Sequence, residues 1–135
     1  VITVTFCLRR LPRLTLEEFQ RYWYEVHAPL VRELAPVLRL RRYVQLHALR
    51  HLVNEGLARG RGSPEPFDGI AELTWDSLED LLAPAGTPEG RQAGRRLVED
   101  ERRFIDLARS PLWVNQAHVV VGEGGPEGAP PGPPR

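Results

Sequence analysis

Residues 17–34, EEFQRYWYEVHAPLVREL, decide how the fold is read. Leu16, Phe19, Trp23, Val26, Leu30 and Leu34 recur at steps of three and four, which places one apolar stripe on a helix and obliges it to pack on something. Thr15, followed three residues later by Glu18, forms a capping box that starts the helix at about residue 16, and Pro36 ends it. Two residues do not fit. His27 lies about 50° from the centre of the stripe, at roughly 100° per residue, and so falls within the apolar face. Pro29 removes a backbone hydrogen bond and presses on the carbonyl of Glu25, at a cost of about 3 kcal/mol in a helix interior. The expectation is a kink at this turn that leaves the Glu25 carbonyl without its usual donor and presents His27 toward a sheet.

The flanks supply the sheet. Residues 2–9, ITVTFCLR, alternate strictly, with Ile2, Val4, Phe6 and Leu8 on one face and Thr3, Thr5, Cys7 and Arg9 on the other. From about Leu40 the chain is again strand-like: Leu40, Val44 and Leu46 share one face, which Arg42 interrupts, and Tyr43, Gln45 and His47 share the other. FDGIAELTWD (67–76) is a third strand and LWVNQAHVVVG (112–122) a fourth. Asp76 and Glu79 open a short helix. Thr87, as N-cap ahead of Pro88, starts a longer one that runs to about residue 108. Residues 50–66 read as a long, mobile polar loop. Ten of the 14 residues from Gly122 to Arg135 are Gly or Pro, so this tail is expected to be disordered and outside the domain of residues 1–121.

Strand, helix, strand followed by strand, helix, strand is the split βαβ order of an α+β, ferredoxin-like fold: a four-stranded antiparallel sheet with helices on one face. No element is left for the other face. A homodimer with its sheets packed face to face, a dimeric α+β barrel, covers it most economically.

Composition narrows the function classes. The 135 residues carry 18 basic and 18 acidic side chains, a net charge of zero, and no long run of one sign, so neither nucleic acid nor a membrane is an expected partner. Every basic residue is arginine, a pattern of high-GC coding rather than of phosphate binding. The one cysteine, Cys7, excludes an intrachain disulfide and a cysteine-cluster metal site, and points to a reducing, cytoplasmic setting. No apolar run approaches the ~18 residues of a membrane span. There is no Gly-rich phosphate loop and no GxSxG. His47 and His51 are four residues apart, but at a strand end, where that spacing does not build a metal site. His27, His47 and His118 satisfy the formal need for a haem axial ligand and nothing more.

The candidates for chemistry each have a structural alternative. An inward His27 serves as a general acid or base, or as a core histidine bonded to a carbonyl. Tyr43, Gln45 and His47 either share a pocket with His27 or form a polar layer in the dimer. Asp68 and Glu72, on one face of the third strand, orient a histidine or pair with arginines. Asp100 and Asp106 read as helix-face or cap-pairing charges, and Gln116 and His118 on the fourth strand are weak candidates.

Four separated motifs in order, EEFQRYWYEVHAPLV, LRRYVQLHAL, FDGIAELTWDSLEDL and EDERRFIDLARSPLW, resemble the EthD family of the dimeric α+β barrel superfamily, over roughly residues 1–121. The resemblance implies that dimeric ferredoxin-like barrel and, by analogy with the superfamily, a cofactor-free enzyme acting on a hydrophobic or aromatic, polyketide-like small molecule. Acid/base chemistry (dehydration, cyclisation or isomerisation) is then expected. His27 and His47 would be the catalytic pair, and Tyr43, Gln45, Trp23 and Glu72 the substrate-binding residues. A cofactor-free monooxygenase and a non-catalytic small-molecule-binding protein are the alternatives.

Overall fold

The computed structural model describes residues 1–123, so twelve residues of the Gly/Pro-rich tail lie outside the described residues. Four strands, β1 (Ile2–Leu8), β2 (Arg42–His47), β3 (Gly69–Trp75) and β4 (Leu112–Gln116), form one sheet in the order β2-β3-β1-β4. Every neighbouring pair is antiparallel. The helices are α1 (Leu16–Tyr22), α2 (Ala28–Leu34), α3 (Leu52–Arg59), α4 (Leu78–Leu82) and α5 (Pro88–Glu101). This is the expected α+β ferredoxin-like arrangement.

The register fixes which side chains share a face. Phe6 lies opposite Ala71, and Ala71 opposite Gln45, so the row faces the helices; Phe6, Leu8 and Ala71 pack there with Leu16, Phe19, Trp23, Phe104 and Ile105 as the core. One residue along, Thr5 lies opposite Glu72 and Glu72 opposite Val44, on the face away from the helices of the described residues. With them on that open face are Thr3, Ile70, Leu46, Trp113 and Asn115.

The misfit at Pro29 is resolved by a π-helical turn, Trp23–His27, between α1 and α2. The Ala28 N–H reaches the Trp23 carbonyl, five residues back, and Pro29 then falls in the first turn of α2, where a missing N–H costs little. The wider turn inserts one residue into the helical pattern. The buried face therefore continues through His27, Ala28, Val31 and Leu34, while Val26 is exposed and Leu30 only half-buried. The sequence stripe ran through Val26 and Leu30, so the π turn changes which residues look inward.

Three other boundaries differ from the sequence reading. Residues 50–66, expected as a loop, contain α3, capped by His51, whose Nδ1 accepts the Val53 N–H at 3.0 Å; its apolar Leu52, Val53 and Leu57 stay exposed and none of its side chains is buried. α5 stops at Glu101 rather than near residue 108, because Phe104 and Ile105, at 0% and 2% exposure, turn the chain back into the core. β4 ends at Gln116, which leaves His118 beyond the strand.

Gly69 opens β3 where the Trp23 ring crosses it. A Cβ there would lie 2.5 Å from that ring, well inside contact distance. Gly69→Ala is expected to destabilise the protein by about 1–3 kcal/mol through overpacking, measured as a lower midpoint in urea with an unchanged slope. A midpoint equal to wild type would show that the Trp23 ring has room to move.

Candidate functional site

The π turn aims the His27 ring between the sheet and α5, where only 4% of the residue is exposed. Asp100, in the last turn of α5, meets it: His27 Nδ1 lies 2.7 Å from Asp100 Oδ2, and the Tyr22 hydroxyl donates to Asp100 Oδ1 at 2.5 Å. The Arg103 guanidinium stands 4.0 Å from the same Oδ1. Tyr22 and His27, five residues apart, converge on one carboxylate because a π turn separates them; ordinary helical spacing would splay them. Phe104 packs on both rings, with centroids 5.0 Å away in each case.

With Asp100 accepting from Nδ1–H, the lone pair of the neutral imidazole lies at Nε2. Burial lowers the His27 pKa below its ordinary value, against the opposing pull of Asp100, so the ring is neutral near pH 7. No described residue hydrogen-bonds Nε2. Since no side-chain nitrogen or oxygen among the described residues is both sealed off and unbonded, Nε2 keeps accessible surface. His27 lines a water-sized cavity of about 30 Å³ together with Tyr43 and Glu101, the rest of its wall being apolar.

β2 brings the second group. Tyr43, Gln45 and His47 face the helices, but of the three only Tyr43 lines the cavity with His27. The Tyr43 oxygen accepts from Trp23 Nε1 at 3.1 Å and Gln45 Nε2 at 3.0 Å, which leaves its own proton to donate. Gln45 Nε2 also donates to the Trp23 carbonyl at 2.9 Å, tying β2 to the π turn. Gln45 Oε1 accepts from His47 Nε2 at 2.8 Å, and the His47 ring stacks on Trp23 at 4.5 Å between centroids. Burial lowers the His47 pKa and raises that of Tyr43; the Glu101 charge adds to the latter shift.

Tyr43, Gln45 and His47 also form one wall of a cleft of about 400 Å³, closed on the other side by Tyr24, Ala28 and Arg32. Val31 and Tyr43 line both spaces and so form the partition between cleft and cavity. Of the predicted residues, His27, Trp23 and Tyr43 line the cavity together, whereas Gln45 and His47 lie on the cleft side of Tyr43 and the two histidines do not share a pocket. Glu72 joins neither group: the register points it to the open sheet face, opposite Thr5 and Val44, so it neither orients a histidine nor reaches the cavity. Asp68 accepts from the Arg10 backbone N–H at 2.8 Å and its Nη1 at 2.5 Å, a structural pairing. Asp106 stands 3.8 Å from Arg109, the pairing expected of it. Asp100, read from the sequence as a helix-face charge, is instead buried beneath His27, and Glu101 and Tyr22 were not singled out at all. Their signal was the five-residue spacing of Tyr22 and His27 ahead of a proline.

Among the described residues no group of three or more His, Cys, Asp or Glu side chains is arranged to hold a metal, and no helix is long and apolar enough to cross a membrane.

A ferredoxin-like α+β domain with a buried His–Asp pair between sheet and helices is the class that fold and site define. Within it, the chain belongs to the EthD domain family, whose model matches residues 11–108. It is 24% identical over 126 residues to a protein of Claviceps purpurea (strain 20.1) named "Decarboxylase", covering 91% of this chain and 87% of that protein. Among solved structures, an EthD family protein of Bacillus halodurans C-125 superposes with a TM-score of 0.57 at 19% identity, covering 87% of this chain and 99% of the other. A protein of unknown function from Bacteroides fragilis NCTC 9343, described as dimeric and ferredoxin-like, gives 0.54 at 11% identity, covering 86% and 95%.

Proposed function

We propose that the protein is a small enzyme that moves a proton at a carbon next to a carbonyl, in a hydrophobic or aromatic small molecule held between the sheet and the helices. The observation that carries this reading is the 2.7 Å contact of His27 Nδ1 with Asp100, which leaves a neutral Nε2 on an apolar cavity. Enolisation is the step shared by dehydration, cyclisation and isomerisation, so one base serves all three. The body of the substrate lies in the 400 Å³ cleft. The Tyr43 hydroxyl, at the partition between cleft and cavity, polarises the carbonyl. His47 and Gln45 hold Tyr43 and line the approach, and Trp23 forms the floor.

A second reading, decarboxylation, is favoured by the name of the Claviceps protein and by Arg32 on the wall of the cleft, where a substrate carboxylate would bind. In a β-keto acid the C–C bond to the carboxylate breaks and its electron pair enters the carbonyl. CO₂ leaves, and the enol carbon takes up a proton. Both readings are tested with simple probes: deuterium entry beside the carbonyl of 2-tetralone in D₂O, and CO₂ release from benzoylacetate. Acceleration of the first supports proton abstraction and acceleration of the second supports decarboxylation; neither occurring, with tight binding retained, would leave a binding protein.

The open sheet face is read as the contact of a homodimer. Leu46 and Trp113 are 46% and 48% exposed on it, beside Val44 and Ile70. The Bacteroides protein of the same fold is described as dimeric. Light scattering is expected to give about twice the 15.3 kDa chain mass, and Trp113→Arg to shift it toward the monomer. A wild-type monomer at micromolar concentration would contradict this assembly.

A further inference from the structure

Glu101 ends α5, and its side chain lines the cavity on which His27 and Tyr43 converge. No described residue hydrogen-bonds its carboxyl, and since no unbonded side-chain oxygen among the described residues is sealed off, the carboxyl keeps accessible surface. The neighbouring Asp100 is in the opposite situation, with Tyr22 and His27 both donating to it. Two adjacent carboxyls thus have separate environments: one is bonded as an anion, the other stands free against apolar walls. That contrast divides an acid from a supporting anion.

The groups facing Glu101 are few. α5 itself supplies Asp100 and Arg102, the π turn supplies His27, and β2 supplies Tyr43, whereas β1 and β3 contribute Phe6, Leu8, Ala71 and Leu73 to the cavity. Burial, helped by the Asp100 charge and opposed by Arg102, raises the Glu101 pKa to about 7. It is therefore largely protonated in mildly acidic solution, while His27 is neutral.

Resting on the acid/base reading above, we propose that Glu101 is a further catalytic residue, the proton donor that faces the His27 base across the cavity. Nε2 of His27 removes the proton from the carbon beside the carbonyl. The C–H pair becomes the C=C bond, the carbonyl π pair moves onto oxygen, and that oxygen takes the Glu101 proton. The products of the step are an enol, an imidazolium and a carboxylate. Return of the two protons to the product restores both residues without an oxidant or reductant.

The enol-like probe 2-naphthol tests the contact by its own fluorescence. A carboxyl with pKa about 7 is only ~3% protonated at about pH 8.5. Binding is therefore expected to be at least tenfold (~10-fold) weaker there than at about pH 6.5. Burial favours the neutral form of His27 and His47, and any proton they take up at the acid end survives in Glu101→Gln, which separates their effect from that of Glu101. Glu101→Gln, whose amide still donates, should bind about equally at both pH values and lose the alkaline fall in 2-tetralone exchange. Absence of binding, wild-type affinity independent of pH, or the same fall surviving in Glu101→Gln would each overturn the proposal. Naphthol binding with the predicted break but no 2-tetralone exchange by wild type would retain Glu101 as a ligand donor and overturn the acid/base function itself. Exchange that is unchanged in Glu101→Gln would overturn only its catalytic role.

Discussion

His27→Ala is expected to lower the rate of deuterium exchange into 2-tetralone by about 10²- to 10⁴-fold, the usual contribution of one positioned general base. The loss should fall on kcat more than on KM, because in the proposed binding mode the body of the ligand lies in the cleft, which His27 does not line. His47→Ala provides the contrast. His47 reaches the cavity only through Gln45 and Tyr43, so its removal should cost far less in kcat and more in KM, by loosening the Trp23 stack and the Tyr43 hydroxyl. Equal losses in the two variants would place the base elsewhere. A residual rate in His27→Ala should no longer show the acidic limb, since protonation of His27 disables the base as the pH falls.

Asp100→Ala should produce the largest loss of stability among single substitutions at the site, about 2–4 kcal/mol. It removes the acceptor of two donors, the half-buried Tyr22 hydroxyl and the buried His27 ring, and leaves the imidazole N–H unpaired beside Phe104. Chemical denaturation at neutral pH measures this directly, and a loss below about 1 kcal/mol would mean that water replaces the carboxylate. The pH dependence has a definite sign. His27 has a lowered pKa in the folded state, so below its ordinary value of 6.5 the unfolded chain binds the proton more readily, and stability declines as the pH falls through that region. Without Asp100 nothing opposes the effect of burial, the folded pKa falls further, and the acid-side decline becomes longer. Glu101 acts in the other direction. Its raised pKa makes the folded state prefer the protonated form, so its contribution is full below 4.5 and is lost as the pH rises through about 7.

Much of this fold follows from periodicities that a sequence carries openly. The alternation of Ile2, Val4, Phe6 and Leu8 and the stripe of Leu16, Phe19 and Trp23 locate a strand and the helix packed on it. The two-residue period likewise puts Tyr43, Gln45 and His47 on one face. The side of the sheet they take is a tertiary matter: it follows from Ala71 pairing with both Phe6 and Gln45, a register that no local pattern contains. The helix face was misread beyond Trp23 for a physical reason. One inserted residue in the π turn moves the inward positions from Val26 and Leu30 to His27, Ala28 and Val31, and a uniform period of 3.6 has no place for it. Pro29 was the visible mark of that insertion, although it suggests a kink as readily.

The acidic half of the site was hidden differently. Asp100 and Glu101 sit in a run of charges, EDERR, at residues 99–103, and such a run ordinarily lies in solvent. They point inward because Phe104 and Ile105 immediately follow and anchor the end of α5 in the core. The distances from Asp100 to Tyr22 and His27 are long in sequence and short in space. α3 was missed for want of any buried side chain, and its cap, a histidine, is an uncommon one.

The central claim is that Asp100 holds His27 as a neutral base with Nε2 turned to the ligand. Nitrogen-15 NMR of the histidine rings tests it most directly. At neutral pH the account predicts a protonated Nδ1 and an unprotonated Nε2 for His27, and a shift at Nε2 larger than at Nδ1 when 2-tetralone is added. A His27 ring protonated at Nε2, or one whose nitrogens do not respond to the ketone, would contradict it.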